Sequence, residues 1–224
     1  MYISAIIPVL NEAPLVACAV KRAWQAGADE VIVSDGGSAD ETVAIAAQQR
    51  CYLIQGMPGR AIQQNAGARA SRGDVLIFLH VDTWLQSEAR GQIQRALRSG
   101  PCQGGAFRQR IDAEGAGYRL LEWGNAARLR MLCLAYGDQG IFLRRDFFER
   151  LGQFPEVPLM EDLRLMRKFR KQARPILLPG PLHVSARRWE KYGIVHQTLR
   201  NGTLLAAEKM GFSPSRLARF YPPR

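Results

Sequence analysis

The amino-acid sequence predicts an α/β protein with a Rossmann-like, mostly parallel central sheet flanked by helices. Through the first half of the chain, short β-branched runs alternate with apolar residues at helical spacing, the pattern of successive βαβ units. The most apolar run, Val75 to Leu79, belongs at the centre of such a sheet. Polar or glycine-containing segments follow each run directly, where an open parallel sheet binds its ligands.

Ile3 to Val9 is the first strand, ended by Asn11-Glu12. Pro14 suits a helix start, and Val16, Ala19, Val20, Ala23 and Trp24 recur at helical spacing up to Gly27. Val31 to Ser34 is the second strand. The turn Asp35-Gly36-Gly37-Ser38 follows, and Ser38 or Asp40 can cap a helix through Thr42, Val43, Ile45 and Ala46. Tyr52 to Ile54 is strand three. A loop from Gly56 to Gly59 leads into a small-residue helix, Arg60 to Ala70, and Asp74 introduces strand four, Val75 to Leu79.

Beyond this point the alternation weakens. The pattern predicts a helix near Ser87 to Arg98, an extended segment from Gly104 to Ile111, a helix from Gly117 to Cys133 and a short strand at Ile141 to Leu143. Helices follow near Asp146 to Leu151 and Asp162 to Gln172, then a strand at Ile176 to Leu178 and a final helix from about Trp189 to Met210.

The chain of 224 residues, 47% hydrophobic and 23% charged, suits one domain with a sizeable core and shows neither a repeat nor the polar bias of disorder. Its net charge of +11 points to a negative partner or surrounding: a nucleotide diphosphate, anionic lipid or nucleic acid. No apolar run is long enough to span a bilayer, and Met1-Tyr2-Ile3 lacks a basic leader. A cytoplasmic protein is expected, with a peripheral contact at the inner membrane surface as a further expectation. Cys18, Cys51, Cys102 and Cys133 lack the close spacing of zinc sites and are expected to be buried small hydrophobes.

Four polar segments should converge at the carboxyl rim: Asn11-Glu12, Asp35-Gly36-Gly37, Gly56 to Arg60, and His80-Val81-Asp82-Thr83. Each has a plain structural reading. The Asp35 segment is a turn whose glycines supply positive φ, and Asp82 is placed either to cap the next helix or to offer oxygen to Mg²⁺ or Mn²⁺ shared with phosphates.

The ordered series Ile7-Pro8-Val9-Leu10-Asn11-Glu12, Ser34 to Asp40 and Leu79-His80-Val81-Asp82-Thr83 resembles the family 2 glycosyltransferases with the GT-A fold. The resemblance continues in Gly104-Gly105-Ala106-Phe107, Gly137 to Phe142, Met160-Glu161-Asp162-Leu163 and Arg187-Arg188-Trp189. More narrowly, His80 to Thr83 with Gly137-Asp138-Gln139 resembles a small soluble bacterial subgroup found in arsenosugar-type biosynthesis contexts. The resemblance implies one glycosyltransferase domain over 1–224, with a nucleotide-binding half at 1–85, an acceptor-binding and catalytic half at 86–190 and a C-terminal helical segment at 191–224.

It also implies roles. Pro8 and Glu12 flank the nucleoside; Asp35, beside Gly36, holds base or ribose; Arg60 and Asn65 lie near base and diphosphate. Asp82 matches the last acid of the family's D-x-D motif and is the metal ligand, while His80 stands where the first acid belongs. His183 is a candidate distal metal ligand, its alternative being a structural histidine. Glu161-Asp162 matches the family's E-D pair, with Asp162 the general base of an inverting reaction and Glu161 orienting it; their alternative is to stabilise a helix N-terminus. Arg188 stabilises the leaving diphosphate, with Trp189 beside it, and Ser185 replaces the Gln of the Q-x-x-R-W motif in processive relatives. Gly104 and Gly105 let backbone approach the sugar, or else form a bulge, and Asp138 and Gln139 contact sugar or acceptor.

The partners expected are therefore a nucleotide-diphosphate sugar and a small-molecule or lipid-linked acceptor, with no nucleic acid. A nucleotidyltransferase would want a glycine-rich basic loop after strand one, which Asn11-Glu12-Ala13-Pro14 is not. A non-catalytic module binding nucleic acid or anionic membrane would want one basic stripe interleaved with aromatics, whereas the cations here are spread over many helices.

Overall fold

The computed structural model of the chain describes residues 1–98 and 100–218, without the side chains of residues 209 and 215. Residues 219–224 of the expected C-terminal segment lie outside the described residues. The first half follows the sequence closely. Strands β1 (Ile3–Val9), β2 (Glu30–Asp35), β3 (Tyr52–Gln55) and β4 (Val75–Phe78) are joined by helices α1 (Ala13–Gln25), α2 (Thr42–Ala47) and α3 (Arg60–Ala70). β1 pairs in parallel with both β2 and β4, and β2 with β3. Val9 stands opposite Asp35 and Asp35 opposite Gln55, so the three strands end at one level and deliver their following loops to one rim.

The second half comprises β5 (Thr83–Leu85), α4 (Ala89–Arg98), β6 (Gly104–Asp112), α5 (Ala116–Leu132), β7 (Phe142–Arg144), α6 (Arg145–Arg150), α7 (Glu161–Gln172), β8 (Ile176–Ser185), α8 (Arg187–Tyr192), α9 (Ile194–Lys209) and α10 (Pro214–Ala218). Its strands extend the same sheet in the order β3-β2-β1-β4-β7-β6-β8-β5. β7 runs antiparallel to β4 and β6, and β5 antiparallel to β8, while β6 pairs in parallel with β8, so four of the seven pairings are parallel and the sheet is mixed at its β7 and β5 strands. β5 and most of β8 were hidden in the sequence: β5 is three residues long, and Pro179-Gly180-Pro181 interrupts the apolar run of β8. The expected final helix is divided at Gly193, whose φ of 79° is a backbone conformation that breaks a helix and that only glycine adopts freely.

Alternation along the strands divides the core between the two faces of the sheet. Ile3, Ala5, Ile7, Val75 and Ile77 pack with α1 and α4, while Ile6, Leu76 and Phe78 pack with residues of α3, α6 and α7. β4 is buried on both faces as its composition demanded, each fully buried side chain contributing about 1.5–3 kcal/mol. Phe78, Phe148 and Phe154 meet at ring-centroid distances of 4.8–5.5 Å and lock α6 and the loop after it beneath the sheet. A third cluster, Leu159, Leu204 and Leu217, fixes α9 and α10 against the entry to α7.

The cysteines depart from expectation. Cys18 lies on the exposed face of α1, and Cys51, Cys102 and Cys133 are only partly buried; all four are free thiols. Partial burial still pushes the Cys51 and Cys102 thiols above the ordinary range.

Candidate active site

The loops after β1 and β2 are stitched together. Asn11 N donates to Ser38 Oγ at 2.8 Å, Ala39 N to Asn11 Oδ1 at 2.8 Å and Glu12 N to Thr42 Oγ1 at 2.8 Å. Asp35 closes its own turn, accepting from Gly37 N at 2.8 Å and Ser38 N at 3.0 Å and from the Ser38 hydroxyl. A Cβ on Gly36 would lie 2.9 Å from Gln63 Cδ, so glycine there leaves room for the Gln63 amide. Gln63, on α3, donates to Val9 O at 2.7 Å and Ser34 O at 2.9 Å, tying the ends of β1 and β2. Sequence reasoning missed Gln63, since a helical glutamine carries no local signal of a buried staple.

On this rim stand Glu12, with its side chain 13% exposed, and Asp82, at 11%, and both face Arg187 at the start of α8. Arg187 Nη2 is 3.0 Å from Glu12 Oε1 and 3.1 Å from Asp82 Oδ2. Its Nη1 lies 3.3 Å from Glu12 Oε2, and its Nε lies 3.2 Å from Asp82 Oδ2. One guanidinium is thus forked between the two acids that the sequence assigned to donor and metal. Sequence reasoning assigned Arg187 no separate role.

The next residue, Arg188, lines a cavity of about 110 Å³ together with the polar side chains of Arg60, His80, Asp138, Asp162 and Tyr136. Leu159, Met160, Leu163, Leu204 and Leu205 supply apolar lining. Two expected elements deliver its charged groups. α3 delivers Arg60 from its first turn, and α7 delivers Glu161 and Asp162 from its own. Met160, just before α7, holds φ 66° and ψ 28°, a left-handed conformation costing a non-glycine residue about 1 kcal/mol and turning the two acids inward.

Glu161 is buried, and Arg60 Nη1 lies 3.2 Å from its Oε1. Asp162 Oδ2 accepts from Gly137 N at 2.5 Å and Oδ1 from Leu163 N at 2.6 Å. Burial pushes the Asp162 carboxyl above the ordinary carboxylate range, and the charge of Glu161 adds to this; Arg60 and the two N–H donors oppose it. A carboxylate so poised at a cavity wall can take a proton from a bound hydroxyl. Behind it, His80 is buried against Gly137, where an added Cβ would come 2.9 Å from His80 Nε2.

The other expected residues make the following contacts. Asn65 is buried away from this cavity: its Nδ2 donates to Phe154 O at 2.9 Å and its Oδ1 accepts from Phe154 N at 3.0 Å, so the amide is consumed in holding the loop after α6. The glycines of β6 answer to neighbouring strands, since a Cβ on Gly104 would lie 2.2 Å from Phe142 O and one on Gly105 2.0 Å from Ile176 O. Gln139 is fully buried and accepts from Arg128 Nη2 at 2.6 Å and Tyr136 N at 3.1 Å. Trp189 packs edge-on to Tyr118, with 6.4 Å between ring centroids. Pro8 sits within β1 opposite Ser34. His183 stacks on Trp84, centroids 5.1 Å apart and planes 8° off parallel, with Nε2 3.1 Å from Gln86 Nε2; burial lowers its pKa. Among the described residues no three His, Cys, Asp or Glu side chains gather into a set that could hold a metal ion.

This sheet, with acids at its carboxyl rim and a second carboxylate pair beyond it, defines the α/β GT-A fold of nucleotide-sugar glycosyltransferases. Residues 4–152 match the family described as Glycosyl transferase family 2, and the chain belongs to that family. Its fold is similar to that of mannosyltransferase PcManGT from Pyrobaculum calidifontis, crystallised with GDP-Man and Mn²⁺: TM-score 0.64, 17% identity, covering 95% of this chain and 66% of that one. Glucosyl-3-phosphoglycerate synthase from Mycobacterium tuberculosis, in complex with Mn²⁺, UDP and glucosyl-3-phosphoglycerate, gives 0.57 at 18% identity over 82% of this chain and 70% of its own. TarS 1-349 of S. aureus, in complex with UDP-GlcNAc, gives 0.60 at 14% identity over 83% and 58%. The chain thus spans 58% to 70% of the length of these three solved chains. No curated protein matches it.

Proposed function

We propose that the chain is an inverting glycosyltransferase that moves a sugar from a nucleotide-diphosphate donor to a hydroxyl of a small-molecule or lipid-linked acceptor. The observation that carries this reading is Asp162, a carboxylate with a raised pKa in a cavity shared with Arg60, His80 and Arg188, beside the acidic rim of Glu12 and Asp82. Asp162 takes the acceptor hydroxyl proton as that oxygen attacks the anomeric carbon and the bond to the diphosphate breaks. Glu161 holds Arg60 and keeps the pair oriented, and Arg188 meets the charge that develops on the leaving diphosphate.

The donor side is supported by the rim itself, since Asp35 orders the turn that would face the nucleoside and Glu12 flanks it. The carboxylates of Glu12 and Asp82 already share a cation, the Arg187 guanidinium; they are too few to hold Mg²⁺ or Mn²⁺ alone, and Asp82 would hold such an ion only together with the phosphate oxygens of a bound donor. Such an ion would neutralise the diphosphate of the leaving group. His183, engaged with Trp84 and Gln86, would have to turn to join it. Placement in the arsenosugar-associated subgroup is supported by His80 to Thr83 and Gly137 to Gln139, and a site of action at the cytoplasmic membrane surface accords with the charge of +11.

The test is donor hydrolysis across a panel of nucleotide sugars with Mn²⁺ or Mg²⁺, which requires no acceptor. Turnover with one donor, lost in Asp82→Ala and Asp162→Asn, supports the reading. Absence of both turnover and nucleotide-diphosphate binding in the folded protein overturns it.

A further inference from the structure

We infer that the outer face formed by α5, the C-terminal half of α7 and α9 is the surface by which this protein rests on an anionic lipid bilayer. The inference deepens the reading above, on which it depends only for placing the acceptor in the membrane.

α5 turns large apolar side chains to solvent: Leu120 is 67% exposed, Trp123 65%, Met131 76% and Leu132 53%. Leu120, Trp123 and Met131 follow i, i+3, i+11 spacing and form one stripe. α9 does the same with Val195 and Leu199, continued by Met210 just past its end. Its first turn meets α5, since a Cβ on Gly117 would come 3.0 Å from Ile194 Cδ1, and its end is held to α7 by Arg167, which donates to both oxygens of Glu208 at 2.7 Å. Isolated exposed apolar residues are ordinary, but a run of them across adjoining helices calls for a partner.

The charge around this run identifies the partner. Arg170 donates to Leu132 O at 3.1 Å and Arg174 to Arg130 O at 3.5 Å, which sets three arginines at the apolar end of α5, with Lys171 exposed nearby. The acids of these helices are turned inward: Glu122 to Arg119, Glu208 to Arg167, Glu161 to Arg60 and Asp162 to the cavity. The described outer faces therefore carry cations and apolar side chains without an exposed carboxylate. A tryptophan and long cationic side chains beside an apolar stripe suit the headgroup level of an anionic bilayer. The position also bears on the site: α9 and the segments after α5 and before α7 wall the cavity that Asp162 lines, and α9 contributes Leu204 and Leu205 to that lining.

Co-sedimentation with phosphatidylcholine vesicles, with and without phosphatidylglycerol, tests this. The protein is expected to sediment only with the anionic vesicles, and less as salt is raised. Trp123→Ala with Met131→Ala, and separately Arg170→Glu with Arg174→Glu, should each weaken vesicle binding about tenfold or more while leaving donor hydrolysis in solution within about twofold. Failure to bind anionic vesicles by protein that still binds nucleotide diphosphate overturns the inference. So does vesicle binding unchanged in both variants, or a dimer in solution that dissociates in the Trp123→Ala variant. Vesicle binding without any nucleotide binding would sink the transferase reading and leave this one standing.

Discussion

Arg187 and Asp82, 105 residues apart in the chain, meet at 3.1 Å, and the same guanidinium reaches Glu12 at 3.0 Å. The H-x-D motif offers one acid where its relatives' motif offers two, and in this structure a protein cation occupies that acid's attention. α8 is therefore coupled to the acidic rim: on the proposed reading, a divalent ion held by Asp82 would displace the guanidinium or share an oxygen with it.

Replacing Arg187 with Ala is expected to tighten Mn²⁺ binding in the absence of nucleotide. Because Arg187 is 44% exposed, solvent screens the contact, and the gain should be about fivefold, in line with roughly 1 kcal/mol for such a pair. Calorimetric titration of Mn²⁺ into both proteins reads it; equal affinities would mean that the ion and Arg187 do not compete.

Asp162→Asn removes the proton acceptor with little change in volume. Turnover should fall by about 10²–10⁴-fold while nucleotide-diphosphate affinity changes little. A variant retaining more than a tenth of wild-type turnover would move the base elsewhere.

The pH profile follows from the same residue. Burial and Glu161 raise the Asp162 pKa, and only the ionised carboxylate can accept a proton, so activity should be present above that pKa and fall as pH drops through it. The acid limb is expected above the ordinary aspartate range. Arg60 pulls in the opposite direction, so Arg60→Met should move the limb to still higher pH. It should also destabilise the fold by about 2–3 kcal/mol by stripping buried Glu161 of its partner. A limb that stays put in Arg60→Met would detach Asp162 from the profile.

Asn65→Ala distinguishes a structural from a binding role. Losing two buried hydrogen bonds to Phe154 should cost about 2–3 kcal/mol in denaturant unfolding, with nucleotide affinity unchanged within about twofold. A stable variant with weakened nucleotide binding would give Asn65 the donor-binding role that its motif implies.

Strands β1 to β4 and helices α1 and α3 were legible because each is a local pattern bounded by glycine, proline or a polar cap. The second half was harder to read. β5 is too short to show a period, the prolines of β8 conceal a strand sheltered between two neighbours, and the break at Gly193 rests on one backbone angle. Among the site residues, Glu161 and Asp162 were visible as paired acids at a helix start. The use of Asn65, Gln139 and the glycines of β6 was not, because a buried amide and a missing Cβ take their meaning from residues distant in the chain.

The shared rim of Glu12, Asp35 and Asp82 follows from local pattern, since the parallel pairing of apolar runs leaves little freedom in where their loops emerge. Which charges on that rim face one another is set by contacts between elements far apart in the chain. The pairing of Arg187 with Glu12 and Asp82, and of Arg60 with Glu161, depends on how α8 and α7 pack across the sheet, and such long-range packing has no signature in local composition.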